Sequence, residues 1–210
     1  TVEHLDIRGT RVERIHGEFW TSGQRQASSI HEISYRGCFK PQLPAFFIER
    51  FTREGDLVYD PFSGRGTTVI EAGLRGRRVA ANDINPLSCI LTRPRFFPPD
   101  LPGVAARLSG IPCRDCRQDT APDLSMFYHE KTEAEIVSLR NYLLSREKEG
   151  SLDYLDEWIR MVATNRLTGH SAGFFSVYTL PPNQAVSPER QAKINRERGL
   201  VPEYRDTKAL

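Results

Sequence analysis

Long apolar runs are missing from this chain. No stretch approaches the roughly 18 residues that a membrane span requires, and the first 25 residues, TVEHLDIRGTRVERIHGEFWTSGQR, lack the apolar core of a secretion signal. The sequence therefore reads as cytoplasmic, with no membrane partner. Cysteine is scarce, four in 210 residues. Cys38, Cys89, Cys113 and Cys116 follow no regular framework spacing, so reduced thiols are expected rather than disulfides. An excess of one charge sign is lacking too. The formal net charge is +2, which by itself says nothing about a polyanionic partner. Internal repeats and low-complexity tracts are absent, which excludes solenoids and disordered linkers.

What is present suits one ordinary α/β domain over 1–210, complete or partial: 39% hydrophobic, 10% aromatic and 27% charged residues. Basic side chains prevail in 61–99 and 161–210 and acidic ones in 100–160. Arginine supplies 24 of the 29 basic residues. That choice suits bidentate phosphate contacts, although a GC-rich genome produces the same bias.

Along the chain, residues 1–35 show no sustained period and read as an arm with one short strand. The stretch 42–51 (QLPAFFIERF) places Leu43, Phe46, Phe47 and Phe51 at helical spacing, and a short apolar run, 56–59, suits a buried strand. A glycine-rich turn at 64–66, a helix over 67–74 stopped by Gly76, and a strand over 78–84 complete a β-turn-α-β unit, the start of a parallel sheet. Residues 93–122 read as irregular. Thr132 and Glu135 have the spacing of a capping box for a helix ended by Gly150, and a second helix over 152–167 is expected to pair with it as a helical insertion at 130–167. Residues 174–180 (FFSVYTL) look strand-like. Ser187, Pro188 and Gly199 bracket a polar helix with Arg190, Lys193, Arg196 and Arg198.

The informative segment is DPFSGRGTT, 60–68. Gly64 and Gly66 permit backbone conformations and a close ligand approach that a side chain would block, and the following helix start exposes N–H groups. This is not the dinucleotide fingerprint, because Val69 stands where its third glycine would be. A carboxylate at the strand end, Asp60, repels phosphate and favours a cationic ligand. Asp83, 23 residues further on, closes the second strand where an acid accepts both ribose hydroxyls. S-adenosylmethionine, a sulfonium nucleoside with an ammonium group, satisfies both carboxylates.

DPFSGRGTT resembles the cofactor motif of the DNA amino-methyltransferases, DPFxG(S/T)GTT, with Arg65 in place of the usual small residue. The segment from His31 through FKPQL (39–43) to GDLVYDPF (55–62) is similar to the stretch that, in that family, closes over the methionine end of the cofactor. ANDINP (81–86) looks like its ribose-contacting strand end. The resemblance covers 31–95 and implies a doubly wound, mostly parallel sheet of the S-adenosylmethionine-dependent methyltransferase type. It implies these roles: Asp60 near the charged end of the cofactor with Pro61 in the turn, Phe62 supporting the adenine or sulfonium, and Gly64 and Gly66 admitting the backbone. Thr67 and Thr68 would cap the helix and bind the methionine carboxylate. Asp83, flanked by Asn82 and Asn85, would hold the ribose, and Phe39, Lys40 and Pro41 would line the methionine end. DNA is the implied partner.

The family's base-holding tetrapeptide, D/N/S-P-P-aromatic, is not found. The two Pro-Pro pairs, FPPD (97–100) and LPPN (180–183), read as proline turns. No catalytic residue is therefore assigned, and the chain is expected to be the cofactor-binding half of a longer or split enzyme. Two alternatives are a noncatalytic module that binds S-adenosylmethionine or docks on DNA, and a methyltransferase acting on RNA or a small molecule. The single CxxC at Cys113 and Cys116 offers too few ligands for a closed zinc site, so no metal is expected. TGHS (168–171) reads as a helix end. Arg75, Arg77 and Arg78 read as complementing a helix dipole more readily than as contacts to DNA.

Overall fold

The computed structural model describes residues 1–18, 21, 27–35, 37–112, 123–179 and 186–210. They form two compact units, Thr1–His31 with Cys38–Asn82, and Glu32–Gly37 with Asp83–Leu210.

The first unit opens with an antiparallel hairpin, β1 (Val2–Ile7) and β2 (Thr10–Ile15), in register from Val2 opposite Ile15 to Ile7 opposite Thr10. Two strands thus replace the single one expected in this arm. Both faces of the hairpin are solvated, so no alternation of apolar and polar residues announced it; cross-strand pairs such as Glu3 with Arg14 support it instead. Next comes α1 (Gln42–Phe51), which buries Pro44, Ala45 and Ile48. It is followed by β3 (Leu57–Asp60), α2 (Thr67–Leu74) and β4 (Arg78–Ala81). β3 and β4 are parallel, Leu57 beside Arg78 and Asp60 beside Ala81, and α2 packs Val69, Ile70 and Ala72 into the unit's core. This is the β-turn-α-β unit read from the sequence and an α/β arrangement. The described strands form two sheets of two strands each. On β3, Leu57 and Tyr59 are 57% and 58% exposed.

The second unit is helical: α3 (Leu87–Thr92), α4 (Leu101–Gly110), α5 (Glu130–Lys148), α6 (Tyr154–Arg166) and α7 (Pro188–Arg198). Ile33, Leu91 and Met161 form one buried cluster and Phe127, Tyr128 and Phe175 another. Three local readings need correcting. Helix α4 stands inside the stretch read as irregular, because Asp100 accepts from the Gly103 N–H at 2.9 Å and Pro102 fits its first turn. FPPD is accordingly a helix start.

Thr132 and Glu135 do not form a capping box; α5 begins at Glu130 with His129 Nδ1 accepting from the Lys131 N–H. Both residues are buried beneath the C-terminal tail instead. Thr132 Oγ1 donates to the Arg205 carbonyl, and Glu135 accepts from Tyr204 and Thr207. Residues 174–179 make a single bridge, Gly169 to Tyr178, and no strand. Their apolar side chains are drawn into the core by Phe175 and Val177.

Ion pairs link α5 to α6, while α6 packs against α3 and α4. Arg160 contacts Glu147 at 2.8 Å, and Arg146 contacts Asp156 at 2.5 Å. Helix α7 has the expected bounds, with Ser187 Oγ accepting from the Arg190 N–H and Gly199 in the left-handed conformation at its end. No helix among the described residues is long and apolar enough to cross a membrane.

Candidate functional site

β3 delivers Asp60 to the mouth of the glycine turn. Its Oδ1 accepts the Phe62 N–H at 3.0 Å, so one carboxylate oxygen shapes the turn. The chain then reverses through Gly64 and Gly66, at φ 53° and 80°, conformations that glycine adopts without steric cost. Gly66 occupies the position in front of α2, and its N–H donates to the Ser63 carbonyl at 2.7 Å. The turn is tied to the end of β4. The Ser63 N–H donates to the Asn82 carbonyl at 3.0 Å, and the Asn82 N–H to the Asp60 carbonyl at 2.9 Å. Phe62 projects outward, 87% exposed.

Thr67 and Thr68 are the first two residues of α2 and do not cap it, because glycine at the capping position has no side chain to accept with. Thr67 Oγ1 instead accepts from Arg65 Nε at 3.1 Å, which accounts for the arginine that interrupts the motif: it folds back on the turn. The N-terminus of α2 thus has no side-chain cap. Beside it, the buried Ser63 hydroxyl has no partner among the described residues. Uncapped N–H groups, an orphaned hydroxyl and two left-handed glycines are the features a bound polar group would satisfy. The donor set therefore fits the amino-acid end of S-adenosylmethionine. Sequence reasoning missed Ser63, whose only signal was its place inside the turn.

Phe39, Lys40 and Pro41 run into α1, where the Pro41 carbonyl accepts from Ala45 at 3.1 Å; Pro41 is buried, Phe39 half-buried and Lys40 exposed. Asp83 and Asn85 belong to the second unit, and Asp83 lies past the end of β4 at Ala81 rather than on the strand. Asp83 Oδ1 accepts the Asn85 N–H at 2.9 Å, and Asn85 Oδ1 accepts the Leu87 N–H at 3.0 Å, a pair of side-chain turns that starts α3. Cys38 and Cys89 are reduced and exposed. Cys113, Cys116 and the LPPN segment lie outside the described residues. The three arginines after α2 are engaged within the fold: Arg75 with Glu49 and Glu71, Arg77 with Thr52, and Arg78 with the Gly55 carbonyl.

One buried cluster behind the turn was not foreseen. Glu71 on α2 accepts from His31 at 2.6 Å and pairs with Arg75. Burial raises the Glu71 carboxyl, but the His31 hydrogen bond and the Arg75 charge outweigh it and hold the group below the usual carboxylate range. A folded-state value below the unfolded one adds stability that is complete above the ordinary carboxylate range and lost as pH falls through the lowered value. Glu71→Gln is expected to cost about 1.5–3 kcal/mol at pH 7. In urea denaturation, the gap from the unaltered protein should shrink at acid pH; a gap unchanged at low pH would remove the carboxylate from this role.

The same turn lies within the chain's likeness to known proteins. Residues 4–92 match the model of a family described as DNA methylase. The type II methyltransferase M.MjaII of Methanocaldococcus jannaschii is 35% identical over 71 residues, 33% of this chain and 13% of that protein. The type II methyltransferase M.MvaI of Kocuria varians is 27% identical over 129 residues, 60% of this chain and 25% of that protein. A tRNA (guanine(10)-N2)-dimethyltransferase of M. jannaschii is 35% identical over 63 residues, 30% of this chain and 18% of that protein. The chain thus spans a quarter or less of the length of these relatives. No solved structure matches it significantly. The likeness to the family described as DNA methylase and to these methyltransferases is carried by the stretch that holds the glycine turn and both flanking strands.

Proposed function

We propose that this chain binds S-adenosylmethionine and forms the cofactor half of an enzyme that methylates the exocyclic amine of adenine or cytosine in DNA. The observation that carries the reading is the turn of 60–68 itself, with its two left-handed glycines ahead of an uncapped helix inside the segment matched to the family. When bound, the cofactor supplies an electrophilic methyl on its sulfonium. The chain's own residues bind and orient: Asp60 favours the cationic end, and the α2 N–H groups with Ser63 and Thr68 accommodate the carboxylate. Phe62 offers an open ring face, Asp83 accepts from the ribose, and Phe39 to Pro41 line the methionine end.

The β3–β4 pair supports the half-enzyme reading. Parallel sheets are ordinarily covered on both faces, yet Leu57 and Tyr59 are exposed, as they would be in part of a larger, doubly wound sheet. Similarity to a tRNA methyltransferase favours RNA as the second reading, and labelling duplex DNA against RNA with methyl-tritiated cofactor separates the two.

Calorimetry is expected to show binding of S-adenosylmethionine or its product S-adenosylhomocysteine. Asp83→Asn keeps an oxygen for the Asn85 N–H but removes the charge, and is expected to weaken binding by about 1–3 kcal/mol. Unchanged affinity would remove Asp83 from the site, and absence of binding by the unaltered chain would overturn the cofactor assignment.

A further inference from the structure

The hairpin at the start of the chain carries charges that the cofactor reading leaves unused. Most of them are satisfied locally: Glu3 pairs with Arg14 and His16, Glu13 with Arg50 of α1, and Asp6 accepts the Gly9 N–H at 2.8 Å. Arg8 and Arg11, at the apex end, are exposed and make no ion pair or side-chain hydrogen bond among the described residues, Arg11 standing opposite Asp6 in the ladder. Arg8 is the one positive-φ residue other than glycine among them, at 52°, followed by Gly9 at 79°. Two successive left-handed residues make the two-residue hairpin turn that prefers Asn-Gly, and an arginine at its first position is under backbone strain. Arg50 anchors the hairpin at Glu13, so at about 3.4 Å per residue the apex stands about 13 Å beyond that anchor.

We propose that this hairpin is a docking finger for duplex DNA, with Arg8 and Arg11 contacting backbone phosphates at the rim of a groove. A two-stranded ribbon fits the major groove, about 12 Å wide, and two unpaired arginines at its tip complement the phosphates on either side. The inference rests on DNA as substrate and deepens that reading by naming the surface that meets it. Arg8 bears backbone strain at the tip of the hairpin, where its side chain is exposed; contact with an outside partner is the gain that offsets it.

The test is fluorescence anisotropy with a labelled mixed-sequence duplex, using the full chain and the double variant Arg8→Asn, Arg11→Gln. Asparagine suits the turn better than arginine, so folding is retained. The variant is expected to bind about tenfold more weakly at low salt, and its slope of log K against log salt should be shallower by about 2, roughly one for each phosphate that is no longer neutralised. An unchanged affinity and slope would overturn the proposal, as would an unaltered chain that binds RNA or nothing in place of duplex DNA. Calorimetry with S-adenosylmethionine on the same samples should give equal affinity for both proteins. That arm reports on the cofactor site alone, so failure of the finger and failure of the methyltransferase reading are distinguishable.

Discussion

Tritium transfer from S-adenosylmethionine to mixed-sequence duplex DNA is expected to be undetectable with these 210 residues alone and to appear when their natural continuation or a neighbouring chain is added. An extruded base must be gripped by hydrogen bonds to its amine and by an aromatic ring, and holding the cofactor supplies neither orientation nor stacking. Of the two Pro-Pro pairs, FPPD begins α4, where Asp100 caps the helix through the Gly103 N–H, and it has a phenylalanine in front of the prolines and no aromatic behind them. The other, LPPN, has neither the polar residue in front nor the aromatic behind. Robust methylation by the chain alone would overturn the half-enzyme proposal. It would return attention to LPPN, with Pro182→Ala and Asn183→Ala as the deciding variants.

The second large effect is on stability. Asp156→Ala is expected to destabilise the helical unit by about 3–5 kcal/mol, because removing one partner of a buried ion pair leaves its counter-charges uncompensated. The Asp156 side chain is 0% exposed and accepts from Arg107 and from Arg146, each at 2.5 Å, with Tyr142 at 3.3 Å. It also closes a true capping box with Asp153 at the start of α6. One residue therefore joins α4, α5 and α6. Burial raises the Asp153 carboxyl, yet hydrogen bonds from Arg107 and the Asp156 N–H bring it down to about 2. Its contribution is present above the ordinary carboxylate range and lost only as pH falls toward that value. Urea midpoints at neutral pH for Asp156→Ala and the unaltered protein provide the check, and a shift equivalent to under about 1 kcal/mol would show that the cluster is incidental.

The elements legible in the sequence were those whose signals are local. Helix α7 was bracketed by Ser187 and Gly199, α2 by the glycines at 66 and 76, and the parallel pair by short apolar runs around DPFSGRGTT. Glycine between a strand and a helix permits a left-handed turn regardless of the rest of the chain, so the turn was readable from nine residues. What lay hidden was decided by partners remote in sequence. Thr132 and Glu135 had the spacing of a capping box, but Arg205, Tyr204 and Thr207 claimed them, because a buried polar group takes whatever partner the packed chain brings within reach. The FFSVYTL run looked like a strand, but its Phe175 and Val177 are satisfied by burial, and among its described residues a lone bridge is all the ladder formed.

His31 and Glu71, forty residues apart, gave no sign of each other, since an ion pair has no sequence period. By itself the sequence determined the glycine turn and the helix and strands that flank it, products of short-range backbone geometry, and it carried the resemblance to the DNA methylases. Tertiary structure alone decided the His31–Glu71–Arg75 and Arg107–Asp156–Arg146 clusters, the burial of Ser63 and the exposure of Arg8, because each depends on which distant groups share a dry or a solvated space.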